Sequence, residues 1–234
     1  MIFTKEEITE GQLLLIDKPL DWTSFDVVNK IRYSIKRTYG FKKIKVGHAG
    51  TLDPLATGLL IIAVGKKTKT ISELMGLPKT YTGTMRLGET TPSYDAETLV
   101  NEHFPWEHIN DELISRCRDS FLGEQDQIPP IFSAIKKDGK KAYESAREGV
   151  EIEMQARRVE ISNFQVERKS PQELDFSVSC SKGTYIRSLA HDFGQSLKSG
   201  AYLSGLRRTA IGEYKIEDAL SLDQFLQSLE PSDS

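Results

Sequence analysis

Long apolar runs are missing from this chain of 234 residues. The longest, Leu59-Leu60-Ile61-Ile62-Ala63-Val64, falls well short of the ~18 residues a helix needs to cross a bilayer, so no membrane partner is expected. The N-terminus carries Lys5, Glu6, Glu7 and Glu10 in place of the apolar core of a secretory signal, and a cytoplasmic protein is expected. Cysteine is scarce. Cys117 and Cys180 each lie in an apolar pattern and read as buried thiols rather than a disulfide. The histidines His48, His103, His108 and His191 show no zinc spacing, and neither cysteine is close to one in sequence, so no metal is expected. A phosphate loop, a dinucleotide fingerprint and a Gly-x-Ser-x-Gly elbow are also absent, which leaves no cofactor motif.

An excess of positive charge is lacking too. The net charge is −3 and the isoelectric point about 5.9, which taken alone argues against a nucleic-acid partner. The distribution says otherwise. Basic residues cluster at Lys42, Lys43 and Lys45, at Lys66, Lys67 and Lys69, at Lys136, Lys137, Lys140 and Lys141, at Arg157 and Arg158, and at Arg207 and Arg208. Acids concentrate at residues 5–10, 95–111 and 217–233. A phosphate backbone responds to a local patch rather than to the sum, although any one lysine run also reads as a solvated loop.

Hydrophobic periodicity places the elements. Leu13 to Ile16 reads as a short strand. Thr23 or Ser24 caps a helix to about Arg37, with Phe25, Val28, Ile31 and Ile35 on one stripe and Gly40 at its end. Residues 46–58 read as a loop, Leu59 to Val64 as a buried strand, Ile71 to Met75 as a short helix, and Tyr81 to Leu87 as an alternating strand. Asp111 to Phe121 is a helix, residues 122–140 a loop, and Ala142 to Arg147 a further helix. Val159 to Val166 alternates in two phases across Ser162-Asn163, which predicts a β-bulge. Leu174, Phe176, Val178 and Cys180 alternate cleanly. Thr184 to Leu197 is a helix, Tyr202 to Ile211 extended, and Ser221 caps a last helix. Strands close in sequence and mixed with helices favour an α+β fold with a mixed or antiparallel sheet.

Three segments present chemistry. In Gly47-His48-Ala49-Gly50-Thr51-Leu52-Asp53-Pro54, Pro54 keeps Asp53 out of the helical region, so a carboxylate sits on a stiff loop before a buried strand. The bland alternative is an Asx turn. In Ser181-Lys182-Gly183-Thr184-Tyr185-Ile186-Arg187, an arginine falls in the first turn of a helix, where the dipole favours anions. A buried carboxylate is its natural partner; a surface arginine is the alternative. Lys79-Thr80-Tyr81 opens a strand with an aromatic ring, which otherwise reads as a core tyrosine.

Together these residues resemble the TruB-type tRNA pseudouridine synthases. Gly47 to Leu60 matches that family's catalytic segment. Leu15-Ile16-Asp17-Lys18-Pro19, Lys79-Thr80-Tyr81, Arg86-Leu87-Gly88, Gln127-Ile128-Pro129-Pro130, Phe132-Ser133-Ala134, Ser181 to Arg187 and Gly205-Leu206-Arg207-Arg208 follow in the same order. The resemblance implies a pseudouridine synthase fold, a bent mixed sheet flanked by helices, as one catalytic domain over 1–234. Residues 122–150 would be a thumb-like insertion that clamps RNA, and no C-terminal PUA domain is expected. It implies that Asp53 is the essential carboxylate, Arg187 its partner, and Tyr81 the ring that stacks on the uracil. Tyr185 would line the pocket, Leu206 would pack against the base, His48 would sit at the RNA-facing edge and help hold the flipped conformation, and Lys18 would support the loop. Lys136, Lys137, Lys140, Lys141, Arg147, Arg207 and Arg208 would contact RNA. The substrate would be uridine 55 in the T stem-loop of tRNA, modified by a monomer that needs no guide RNA. Rejoining a uracil to C1′ of its own ribose through C5 instead of N1 needs neither redox change nor group donor. One ionised carboxylate suffices, as nucleophile or as base toward the ribose, whereas a glycoside hydrolase would need two. A tRNA-folding chaperone or RNA-binding module is the alternative from another class.

Overall fold

A computed structural model describes residues 3–133, 136–137, 140–141 and 154–229. In chain order the strands are β1 (Leu13–Lys18), β2 (Val46–His48), β3 (Ala56–Val64), β4 (Lys79–Leu87), β5 (Glu89–Thr90), β6 (Glu102–His103), β7 (Gly123–Gln127), β8 (Lys136–Lys137), β9 (Lys140–Lys141), β10 (Arg157–Ser170), β11 (Glu173–Cys180), β12 (Ala201–Ile211), β13 (Tyr214–Lys215) and β14 (Leu220–Ser221). Helices occupy Lys5–Glu10, Ser24–Tyr39, Ile71–Gly76, Asp111–Ser120, Ile186–Ser196 and Leu222–Gln227. The fold is α+β, as the periodicity predicts. The chain forms two compact units, Met1–Tyr81 with Arg207–Ser234, and Thr82–Leu206. No helix among the described residues is long and apolar enough to cross a membrane.

In the first unit the strands run β14-β1-β3-β12, with β2 on β3 and β13 on β12. The β1–β14 pair is parallel and β1–β3 antiparallel, so the sheet is mixed. β3 is apolar throughout because both of its faces are covered. Leu60, Ile62 and Val64 pack with Leu14, Ile16 and the helix Ser24–Tyr39 on one side; Leu59 and Ile61 pack with Ala49, Leu74 and Ile211 on the other. The helix is capped by Thr23, whose hydroxyl and Asp26 carboxylate form a capping box, and it ends at Gly40 in the left-handed region, φ 69°. The stripe differs from the sequence reading at one position. Phe25 is 61% exposed, because Ser24 takes the inward place and bonds to Leu52. Part of the expected 46–58 loop is also strand: Val46–His48 pairs with β3 in the register Val46↔Val64, and β3 begins at Ala56.

In the second unit β4, β11, β10 and β7 are neighbours in that order. The phase change across Ser162-Asn163 is a bulge, with the β10–β11 register shifting between Ile161 and Asn163. Phe121, Phe164, Phe176 and Phe193 form an edge-to-face aromatic cluster with centroids 5.5–6.4 Å apart. Three further strands lie in the stretch expected as a 122–140 loop. β7 pairs with β10, Gln127 opposite Arg157, and β8 and β9 form a hairpin with Lys136 opposite Lys141 and Lys137 opposite Lys140. Arg147 and the helix expected over Ala142 to Arg147 lie outside the described residues. The helix Ile186–Ser196 starts two residues later than Thr184 would place it. The Thr184 hydroxyl donates back to the Ser181 carbonyl and so does not cap.

Candidate active site

The loop around Asp53 is held at almost every residue. The Ala49 amide donates to the Ile61 carbonyl at 2.9 Å. The Leu52 amide donates to Ser24 Oγ at 2.8 Å, and the same hydroxyl donates to the Leu52 carbonyl at 3.1 Å. Lys18 Nζ reaches the carbonyls of Pro19, Trp22 and Pro54 at 2.8, 2.6 and 3.3 Å. The Asp21 amide donates to the Pro54 carbonyl, and the Ala56 amide to the Asp53 carbonyl. Asp53 itself is half-buried. Backbone groups that already have partners do not reorganise when charge moves nearby, which is the physical content of preorganisation.

The cations of this unit divide into two kinds. Lys18 is 0% exposed; burial pulls its ammonium down to about 8, against the opposing charges of Asp53 and Asp21. Its bond to the Pro54 carbonyl ties it to the residue after Asp53. Arg207 is partly exposed and makes a two-pronged pair with Asp17, at 3.0 and 2.6 Å, beside Thr57 Oγ1. Arg208 departs from the expectation of an RNA contact. It is 1% exposed, and its guanidinium donates to the carbonyls of Leu59 (2.8 Å), Gly50 (3.1 Å) and Thr51 (3.5 Å). His48 is half-buried on β2, opposite Ile62. Burial lowers its pKa, so the ring is neutral at pH 7. Tyr81 is buried on β4. Two basic runs meet on this unit: the Gly65 amide donates to the Lys45 carbonyl at 2.8 Å, which sets Lys42–Lys45 beside Lys66–Lys69.

In the second unit Arg187 is 4% exposed. Its Nε lies 3.6 Å from Asp95 Oδ2, and its Nη1 donates to the Ser93 carbonyl at 3.2 Å. Asp95, a residue the sequence did not single out, is one buried carboxylate beside this arginine. Between them in sequence, Tyr94 stacks on His191 with centroids 3.9 Å apart, so the helix face bearing Arg187 and His191 grips Ser93, Tyr94 and Asp95 in turn. Gln127 fixes the backbone of Tyr185, accepting from its amide at 2.8 Å and donating to its carbonyl at 3.0 Å. The Tyr185 ring lies 5.3 Å under the Arg157 guanidinium. Leu206 is half-buried on β12. Ser24, Asp95 and Gln127 are the supporting residues that sequence reasoning missed. Each is an ordinary polar residue whose role appears only when a distant backbone arrives beside it.

The α+β fold carries a carboxylate on a pinned loop, and comparison with known proteins says which class of protein this is. A family model described as TruB family pseudouridylate synthase (N terminal domain) matches residues 36–186, and one described as tRNA pseudouridylate synthase B C-terminal domain matches residues 187–233. The chain belongs to the TruB family of pseudouridylate synthases. It is 57% identical to tRNA pseudouridine synthase B of Flavobacterium johnsoniae, over 97% of this chain and all of that one. It is 52% identical to the protein of the same name from Phocaeicola vulgatus, over 94% of each. Among solved structures, one in a Cbf5-Nop10-Gar1 complex superposes with a TM-score of 0.70 at 28% identity; the match covers 95% of this chain and 55% of that one.

Proposed function

We propose that this enzyme converts uridine 55 in the T loop of tRNA to pseudouridine, with Asp53 as the carboxylate that reacts at the ribose. The observation that carries the proposal is the loop that holds Asp53: the residues on both sides of it are bonded to Ser24, Lys18 and Arg208. A turn aspartate with no chemical task has no need of such restraint. The relatives named tRNA pseudouridine synthase B, similar over nearly their whole length, support tRNA as the substrate.

A T-loop uridine is stacked, so it must be flipped out before a carboxylate can reach its C1′. Unstacking costs a few kcal/mol, which stacking on Tyr81 offsets in part. With Asp53 acting at the ribose, the N1–C1′ bond breaks with its electron pair leaving on the uracil, the base turns, C5 bonds to C1′, C5 loses its proton and N1 takes one up, so the carboxylate is regenerated. Arg187, which Asp95 aligns, is assigned as the basic partner in the reaction. Tyr185 and Leu206 receive the base, His48 helps hold the flipped conformation of the RNA, and the basic residues, Lys136, Lys137, Lys140, Lys141, Arg147 and Arg207 among them, hold phosphates. The enzyme acts in the cytoplasm, as a monomer without a guide RNA.

The test uses unmodified tRNA tritiated at uracil C5. Purified protein alone is expected to release tritium at one site per tRNA, while Asp53→Asn binds the same tRNA and releases none. Appreciable release by Asp53→Asn removes that residue from its role; release only in the presence of an added RNA establishes a guided enzyme.

A further inference from the structure

The side chain of Arg208 is one of the largest buried in the molecule, and all three guanidinium nitrogens face backbone carbonyls. Its Nε holds Leu59 in β3, while Nη1 and Nη2 hold Thr51 and Gly50, a few residues ahead of Asp53. Leu59 is itself fixed, paired opposite Asp17 of β1. The origin of the side chain is equally fixed. At Gly58 a Cβ would come within 2.3 Å of the Arg208 carbonyl oxygen and 2.7 Å of its amide nitrogen, so the two backbones cross at a distance only glycine allows. A planar fork launched from a clamped backbone transmits the position of the sheet to the loop with little play. A lysine ammonium, a single donor point on a flexible stem, does not span the same acceptors.

We infer that Arg208 is a positioning residue for the isomerisation: it sets the height of the Asp53 carboxylate relative to the sheet through the Gly50 and Thr51 carbonyls, and makes no contact with RNA. The inference rests on Asp53 being the reacting carboxylate. A loop released from the fork still admits the base but presents the carboxylate out of line, and misplacement on the order of 1 Å costs about a hundredfold in rate.

The test compares wild type, Arg208→Lys and Arg208→Gln on tritiated tRNA, with thermal melting as a check on folding. Both variants are expected to bind tRNA with an unchanged dissociation constant and KM, while the single-turnover rate falls about a hundredfold. A rate within threefold of wild type in a folded variant overturns the inference, as does a loss confined to KM or tRNA affinity, which would make Arg208 an RNA contact. If neither variant folds, Arg208 is a core residue alone and the inference also fails. Asp53→Asn, run in parallel, separates the two levels. Turnover by that variant sinks the carboxylate assignment, whereas an inactive Asp53→Asn beside a fully active Arg208→Lys sinks only the role of Arg208.

Discussion

At the level of single residues, burial has consequences that a titration can read. Burial pushes the Asp192 carboxyl up to about 6, on the same helix as Arg187 and one residue from the His191–Tyr94 stack. Between the ordinary aspartate value and about 6, the folded chain holds a proton that the unfolded chain has lost. Stability therefore falls as pH rises through that window, and the penalty is complete above it. Asp192→Asn, with nearly the same helix propensity, is expected to melt higher than wild type at pH 7, by roughly 2 °C, and to show no gain below pH 4. Calorimetry at the two pH values decides it. What the sequence made legible at this scale was that Arg187 calls for a carboxylate; that Asp95 is beside it was not legible. The first-turn position of Arg187 called for a carboxylate on dipole grounds alone. Asp95 lies 92 residues away in an acidic stretch with no local pattern, and only the folded backbone, with Tyr94 in a positive-φ conformation of 62°, aims it there.

At the level of elements, neighbouring hydroxyls on one helix separate stability from catalysis. Thr23 caps the helix Ser24–Tyr39 through bonds to Asp26, whereas Ser24 exchanges two hydrogen bonds with Leu52. Thr23→Ala is expected to cost about 1 kcal/mol with no change in the single-turnover rate. Ser24→Ala is expected to cost a similar amount and also to slow the reaction by more than about tenfold; equal rates for the two variants would remove Ser24 from the support of Asp53. Most elements followed from periodicity: β1, β3, β4, β11 and the helix stripes needed only their own apolar spacing, and the β10 bulge showed as a phase jump. Two of the missed strands lack a pattern that could announce them. β7, Gly-Glu-Gln-Asp-Gln, has no apolar face to announce a strand and is held by its backbone pairing with β10. Val46–His48 is likewise too short to alternate.

At the level of the whole molecule, a net charge of −3 conceals a basic surface assembled from separate runs, since the pairing of β2 with β3 places Lys42–Lys45 beside Lys66–Lys69. Affinity for tRNA is therefore expected to weaken more than about tenfold between 50 and 200 mM salt, measured by filter binding; a flat response would deny these lysines any part in it. The two cysteines carry a different message. Cys117 and Cys180 are both buried and unbridged, and both belong to the unit Thr82–Leu206. An alkylating reagent can reach either sulfur only when that half of the fold breathes. The protein thus contains a stopwatch for one of its halves, and the thiol that ends β11, 1% exposed, runs slower than the one on the helix Asp111–Ser120, 9% exposed.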